Sequence, residues 1–366
     1  MQKLKKKFIR SRTFVPLGKR VWSHELTGEK VFLPIGRFGV ILLIGRSRSG
    51  KSSIAKTITA FVSNSGRRCL VFDPYSEYTV CLQPNMKSDD NIMGFKDFII
   101  VKNFAFKIDE FWQQDWMSLG FSVDASRVLE VIGSKTELHD NDFDEFEKIC
   151  LAVPSRDKQW SNFNKLYPEV LNSPIHAQTA TQIKSKISWF RGFFKQEGDK
   201  KLWIPHFGKL LMQTNLIVDL GLRKGSDIEK ARAYVGIILR QIEPYLRYLR
   251  LFMVFDEADL FAPFPQQNAV YSSACNKLID YTIKMQREDL VVLYITQDYS
   301  LMHPILVQNW HWKILGILDP MSRDYELVKW LKNDFESTPY AHREFVLLSS
   351  NNRHYTFVPD IPPCRI

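Results

Sequence analysis

The sequence predicts an α/β fold with a mostly parallel sheet covered by helices on both faces. Two observations predict it. Strand-like runs (FGVILLIG, CLVFD, NLIVDL, LFMVF, LVVLYIT) alternate with segments of helical period. Those runs are apolar throughout rather than at every second residue, as a strand buried on both faces requires. Size agrees, because 366 residues with 45% hydrophobic content suit one large core domain or a core with a substantial insertion.

In chain order, residues 1–37 form a basic leader with short β-like pieces at Phe14–Leu17 and Lys30–Leu33. Its lysine- and arginine-rich start reads as a solvated tail in preference to a DNA-contacting arm. Residues 38–103 open the core with a buried strand, then a glycine- and serine-rich turn. A helix follows with Ile54, Ala55, Ile58, Phe61 and Val62 on one face, and further strands are expected at Cys69–Asp73 and Phe98–Val101. Residues 104–205 change character to aromatic-rich, charged, helical segments broken at Pro154, Pro168 and Pro174, which reads as a helical insertion. Its Trp112, Trp116, Trp160 and Trp189 are assigned to packing rather than to base stacking. Residues 206–366 resume the core. A strand covers Asn215–Leu220, and Ser226 with Glu229 has capping-box spacing. The helix behind it shows Ile228, Ala231, Val235, Ile238, Ile242 and Leu249 on one face, with a kink at Pro244. The strand LFMVF, a helix through about Arg287, the strand LVVLYIT and short terminal elements ending near Val358 complete the order.

Composition narrows the partners. Fifty Lys and Arg against 40 Asp and Glu give a net charge of +10, which favours a polyanion such as nucleic acid. No apolar run reaches the roughly 18 residues of a membrane span, and no secretory signal follows the basic start, so a soluble cytoplasmic protein is expected. The five cysteines (Cys69, Cys81, Cys150, Cys275, Cys364) lack disulfide or zinc spacing.

The chemistry begins at Gly45, because GRSRSGKSS fits GxxxxGK[ST] between an apolar strand and a helix start. Gly45, Arg46, Ser47, Arg48, Ser49, Gly50, Lys51, Ser52 and Ser53 are therefore the candidate phosphate-binding residues. Glycines let the backbone close around an anion that lies on the helix N-terminus. Lys51 would reach the β- and γ-phosphates and the Ser52 hydroxyl would bind Mg²⁺. The strand LFMVF ends at Asp256 and Glu257, which puts two carboxylates at the carboxyl end of a buried strand. Asp256 would hold the metal, and Glu257 would polarise the attacking water, so ATP hydrolysis with ATP and Mg²⁺ as cofactors is the expected chemistry.

These residues resemble the HerA/FtsK superfamily of RecA-like P-loop ATPases, ring-forming motors that pump DNA. The resemblance spans roughly residue 30 to the end. It rests on the phosphate loop, the segment VFDPYSEY, the VFDEAD strand, and YITQ ending in Gln297. It implies that Gln297 senses the γ-phosphate and that a basic residue before that strand reaches a neighbouring subunit's nucleotide. Arg287 within KMQRED is the nearest match; Glu288 and Asp289 stand where the family usually has a glycine, so Arg240, Arg247 or Arg250 remain alternatives. The 44 residues before Gly45 are too few for the β-barrel of full-length HerA helicases, so a compact member is expected. The resemblance implies a homohexameric double-stranded DNA translocase. A viral packaging or conjugative motor with a nuclease, capsid or secretion partner, virion-associated in the packaging case, is the alternative. A nucleotide-gated scaffold with negligible hydrolysis is the reading from another class, against which Glu257 speaks.

Overall fold

The computed structural model describes residues 13–22, 25–82, 94–106, 202–204, 206–222, 228–264, 273–284, 288–318, 344–351 and 353–360, with isolated positions between them. Arg287, Ser226, the four tryptophans of the expected insertion and most of residues 104–205 lie outside the described residues.

The sheet has eleven strands. Its parallel part is built from β3 (Gly39–Ile44), β4 (Arg68–Asp73), β5 (Phe98–Lys102), β8 (Asn215–Asp219), β9 (Leu251–Phe255), β10 (Leu290–Thr296) and β11 (Trp310–Leu315). Their spatial order is β11-β3-β10-β9-β4-β8-β5, and every neighbouring pair is parallel. The central strands β3, β8, β9 and β10 are buried along their whole length, with helices on both sides, which is why none of these four shows alternation. Two parallel short strands, β6 (Phe104–Phe106) and β7 (Leu202–Ile204), pair outside the main sheet and bracket the expected insertion.

The helices divide between the two faces. One face packs against α1 (Lys51–Asn64) through Ile54, Ala55, Ile58 and Val62, which meet Ile41, Leu43, Val71 and Val254. The other is covered by α2 (Phe207–Gln213), α3 (Ile228–Ile242), α4 (Ser273–Lys284) and α5 (Pro304–Gln308). Here Val235, Ile238 and Ile242 of α3 lie on Leu70, Phe72, Met253 and Phe255 of the sheet. Pro244 does end the α-helical path. The chain continues beyond Ile242 as a 3₁₀ turn, Glu243–Tyr248, because proline cannot donate to the preceding turn.

The leader departs from its sequence reading in extent. The short pieces seen around Phe14 and Lys30 are parts of two long antiparallel strands, β1 (Thr13–Trp22) and β2 (Glu25–Ile35). They extend the sheet through β12 (Phe345–Ser349) and β13 (His354–Pro359). Alternation explains the geometry: Val15, Leu17, Val31, Leu33 and Ile35 turn inward to the core shared with α1, while Phe14 and Phe32 face outward. The strands outrun their apolar part because pairing with β13 and the Arg20–Glu29 ion pair (2.8 Å) support the polar ends.

A histidine caps α2. The Nδ1 of buried His206 accepts from the backbone N–H of Gly208 (3.1 Å) and of Lys209 (3.4 Å). That role needs a neutral ring, and burial with Lys209 nearby lowers its pKa from 6.5 to about 4. A depressed folded-state pKa means that the unfolded chain binds the extra proton between pH 6.5 and 4. The contribution to stability is therefore complete above 6.5 and is lost as the pH falls through 4. His206→Asn keeps an acceptor at the cap. We expect it to flatten the fall of the urea midpoint between pH 6.5 and 4 relative to the wild type.

Candidate active site

The carboxyl ends of β3, β10, β9 and β4 share one edge. Ile44 pairs with Thr296, Tyr294 with Phe255, and Phe255 with Phe72. The next residues along, Gly45, Gln297, Asp256 and Asp73, therefore line that edge together, and the strand bearing Gln297 runs between the phosphate loop and the acidic pair.

The loop is tied at its start. Gly45 N–H donates to Thr296 O (3.3 Å) and Arg46 N–H to Ile317 O (2.7 Å). Its turn uses left-handed backbone at Arg48 (φ 62°) and Gly50 (φ 92°), the alternation that aims successive amides at one point. A Cβ at Gly45 would lie 2.7 Å from Ser49 Oγ and 3.3 Å from Ile317 O, so a larger residue there would displace the Ser49 hydroxyl. Lys51 Nζ donates to Gly45 O (2.6 Å) and Arg46 O (3.1 Å) and so crosses the mouth of the loop. Arg46, Ser47 and Arg48 are exposed; Ser52 and Ser53 are half-buried in the first turn of α1.

Three features of this loop fit a phosphate. Ser49 Oγ is buried with no hydrogen-bond partner among the described residues. No side chain caps the N-terminus of α1, and its first turn carries no acidic residue. These free amides at the positive end of a helix suit an anion.

Opposite the loop, carboxylates converge. Asp256 is buried, and burial first, then Glu77, Glu257 and Asp73, raises its pKa from 3.8 to about 7. Glu257 is raised by burial and Asp259, and held down by Lys51 and by a side-chain hydrogen bond from Gln297. Lys51 is lowered by burial, against the pull of Glu257, Asp256, Glu77 and Asp259. Lysine, acidic pair and Gln297 thus form one electrostatic unit. Carboxylates outnumber cations in it, so the donor set suits a divalent cation. Magnesium is such a cation, held by one or two protein oxygens together with phosphate oxygens and water.

Glu77 was missed as a neighbour of this unit. It stands on the loop after β4, where the buried Asp73 carboxylate accepts from the amides of Tyr75 (3.3 Å), Glu77 (3.0 Å) and Tyr78 (2.8 Å). Aspartate before proline is a turn signal that could have shown the bend, though not where Glu77 would face. Of the candidate trans arginines, Arg240 is buried, Arg247 lies over the Tyr248 ring at 4.8 Å, and Arg250 pairs with Asp289 (3.5 Å) at the opposite sheet edge.

The acidic site carries a testable cost. The folded-state pKa of Asp256 lies above its ordinary value, so the folded protein takes up a proton between pH 7 and 4 that the unfolded chain lacks. Stability therefore falls as the pH rises through that window. Asp256→Asn should raise the Tm of metal-free protein at pH 8 by about 2 °C or more and leave it nearly unchanged at pH 4.

No protein-family model and no curated protein matches the chain. Solved structures do. VirB4 of Thermoanaerobacter pseudethanolicus aligns with 97% of this chain and 98% of its own, at TM-score 0.59 and 15% identity. The bacterial conjugative coupling protein TrwBΔN70 covers 94% of each chain at TM-score 0.56 and 12% identity. The plasmid coupling protein TrwB in complex with ADP and Mg²⁺ covers 97% of this chain and 96% of its own, at 0.56 and 13%. The chain shares the RecA-like mixed α/β fold of these proteins, with its large and mostly parallel sheet. In this fold the observed sheet order sets the phosphate loop and the acidic strand on either side of the strand that ends in Gln297. No helix among the described residues is long and apolar enough to cross a membrane.

Proposed function

We propose that this chain is an ATP-hydrolysing motor that moves double-stranded DNA as a homo-oligomeric, hexameric ring. The observation that carries the reading is Glu257, hydrogen-bonded by Gln297 and electrostatically coupled to Lys51 of the phosphate loop. A nucleotide-binding protein that only switches has no need of a second carboxylate there.

Lys51, the loop amides and the N-terminus of α1 bind the β- and γ-phosphates of ATP. Ser52 and Asp256 would hold Mg²⁺, which supplies neutralisation of charge on the phosphate oxygens. Glu257 accepts the proton of the attacking water, and Gln297 orients the Glu257 carboxylate and reports γ-phosphate cleavage through its amide. The structure of TrwB with ADP and Mg²⁺ supports these cofactors. Arg287 is proposed as the residue that completes a neighbour's site. The net charge of +10 supports sequence-independent contact with a DNA backbone. A conjugative DNA-pumping role is the second reading, favoured by the likeness to a conjugative coupling protein over nearly the whole chain. A secretion partner would then be required.

ATP turnover measured with and without duplex DNA tests the proposal, with electron microscopy of particles holding an ATP analogue and DNA. Stimulation by duplex and rings with a central channel are expected. ATP bound with no turnover in either condition would replace the motor by a nucleotide-gated scaffold.

A further inference from the structure

A cavity of about 290 Å³ opens at the sheet edge opposite the phosphate loop, where β3, β10 and β11 begin. The turn between β2 and β3 forms one wall, with Phe38 and Gly39. The ends of β11 and β12 form the other, with His311, Trp312, Ser350 and Asn351. Its volume is at the small end of ligand pockets, enough for one ring system rather than a large ligand.

The lining combines aromatic surfaces with a polar edge and contains no carboxylate. Trp312 and His311 are half-buried, and the Phe38 ring stands edge-on to His311 at 5.8 Å. The backbone N–H of Val40 donates to His311 Nδ1 (3.2 Å), so the neutral ring carries its proton on Nε2 as a donor. A Cβ at Gly39 would come within 3.2 Å of the His311 ring, so glycine leaves room for the imidazole at the start of β3. Ser350 and Asn351 are exposed on the β12–β13 turn and add a hydroxyl and an amide. Arg37, 69% exposed in its side chain with its Nε 3.7 Å from Asp289 and the rest of its guanidinium open to a ligand, sits between the lining residues Gly36 and Phe38, and exposed Arg353 stands on the opposite turn.

Aromatic faces, hydrogen-bonding groups of both senses and cationic residues on both flanking turns suit one kind of ligand: a planar heterocycle that carries a phosphate. An aromatic hydrocarbon side chain of a protein partner would leave the amide, hydroxyl and imidazole N–H groups unused and would gain nothing from the arginines. We propose that this cavity binds one unstacked nucleobase, with its phosphate on Arg37, as a site separate from the nucleotide site at the other sheet edge. The base comes from a single strand or from a free nucleotide. Stacking on Trp312 supplies a sequence-tolerant contact, and Arg37 a salt-sensitive one.

Fluorescence anisotropy of labelled oligothymidylate on the full chain tests this, with excess unlabelled duplex present to occupy any duplex-tracking surface. Binding is expected, weakened about fivefold or more by Trp312→Ala, and weakened also by Arg37→Ala or Asn351→Ala. The latter two alter exposed side chains and keep the assay informative if the tryptophan variant misfolds. Thymidine monophosphate distinguishes the sources. Competition at concentrations comparable to oligonucleotide sites makes a free nucleotide the ligand, and competition only at far higher concentration makes it a strand. No binding of either probe, or binding that the Arg37 and Asn351 variants leave unchanged, overturns the site. Because the readout needs no hydrolysis, its failure is distinct from failure of the motor reading, and ATP turnover without nucleic acid should be the same in all three variants.

Discussion

Glu257→Gln is expected to keep ATP bound and to cut turnover by a factor of about 10² or more. Glutamine preserves the size of the side chain and can still pair with Gln297, but it cannot accept a proton from water. Binding survives because Lys51, the loop amides and Ser52 are untouched. The glutamate is poised for this role by its surroundings. Burial and Asp259 raise its pKa while Lys51 and the Gln297 hydrogen bond restrain it. Its backbone is left-handed (φ 47°, ψ 59°), a conformation that costs a non-glycine residue about 1–3 kcal/mol and persists only where neighbours enforce it. They do so here: Leu260 N–H donates to Glu257 O (2.9 Å), and Thr296 Oγ1 donates to Asp259 Oδ1 (2.9 Å), which pins the acidic turn to the strand that ends in Gln297. Gln297→Ala should act differently. Loss of its hydrogen bond raises the Glu257 pKa, so the acid limb of the kcat–pH profile moves to higher pH. Wild-type turnover in Glu257→Gln would remove the glutamate as the base.

The parallel sheet and the two halves of the site were legible because their signals are local. A fully apolar strand must be buried on both faces, and the phosphate loop, from Gly45, and Asp256 each follow such a strand directly. Where pairing depends on distant residues, sequence signals were partial. Val15 and Val31 showed strand character, but the length of β1 and β2 is set by β13, more than 300 positions away in the chain. Glu77 illustrates a second limit. The segment VFDPYSEY carries the family resemblance, yet the orientation of Glu77 follows from three amides converging on Asp73, which spacing alone does not encode. Asp289 is a third case. As a departure from the family's glycine it clouds the assignment of Arg287, whereas the structure gives it a separate task at the other end of the sheet.

That task leads to the other large effect: Asp289→Asn should cost about 3 kcal/mol or more of unfolding free energy. Arg67 is buried, with a side chain 2% exposed, and its guanidinium donates to Gly36 O (2.8 Å), Arg37 O, Leu251 O and Asp289 O (3.3 Å each) and to Asp289 Oδ1 (2.9 Å). Asp289 also draws in Arg250 (3.5 Å) and Arg37 (3.7 Å). With the carboxylate gone, Arg67 keeps its carbonyl partners but loses its short contact with the Asp289 carboxylate while still desolvated. Arg67→Lys should be nearly as damaging, since three ammonium donors on a flexible stem cannot meet five acceptors in fixed directions. Urea unfolding of both single variants and the double variant measures the coupling. The double variant should lose far less than the sum of the singles, and strict additivity would mean that the pair does not act as a unit. The network stands at the far end of the strands that carry the candidate site. Arg67 fastens the turn before β3 and the starts of β9 and β10 to one another, and those three strands end at Gly45, Asp256 and Gln297. At a temperature where the Asp289→Asn variant remains folded, its kcat should therefore stay close to that of the wild type, because the network holds the strands in step without touching the nucleotide edge.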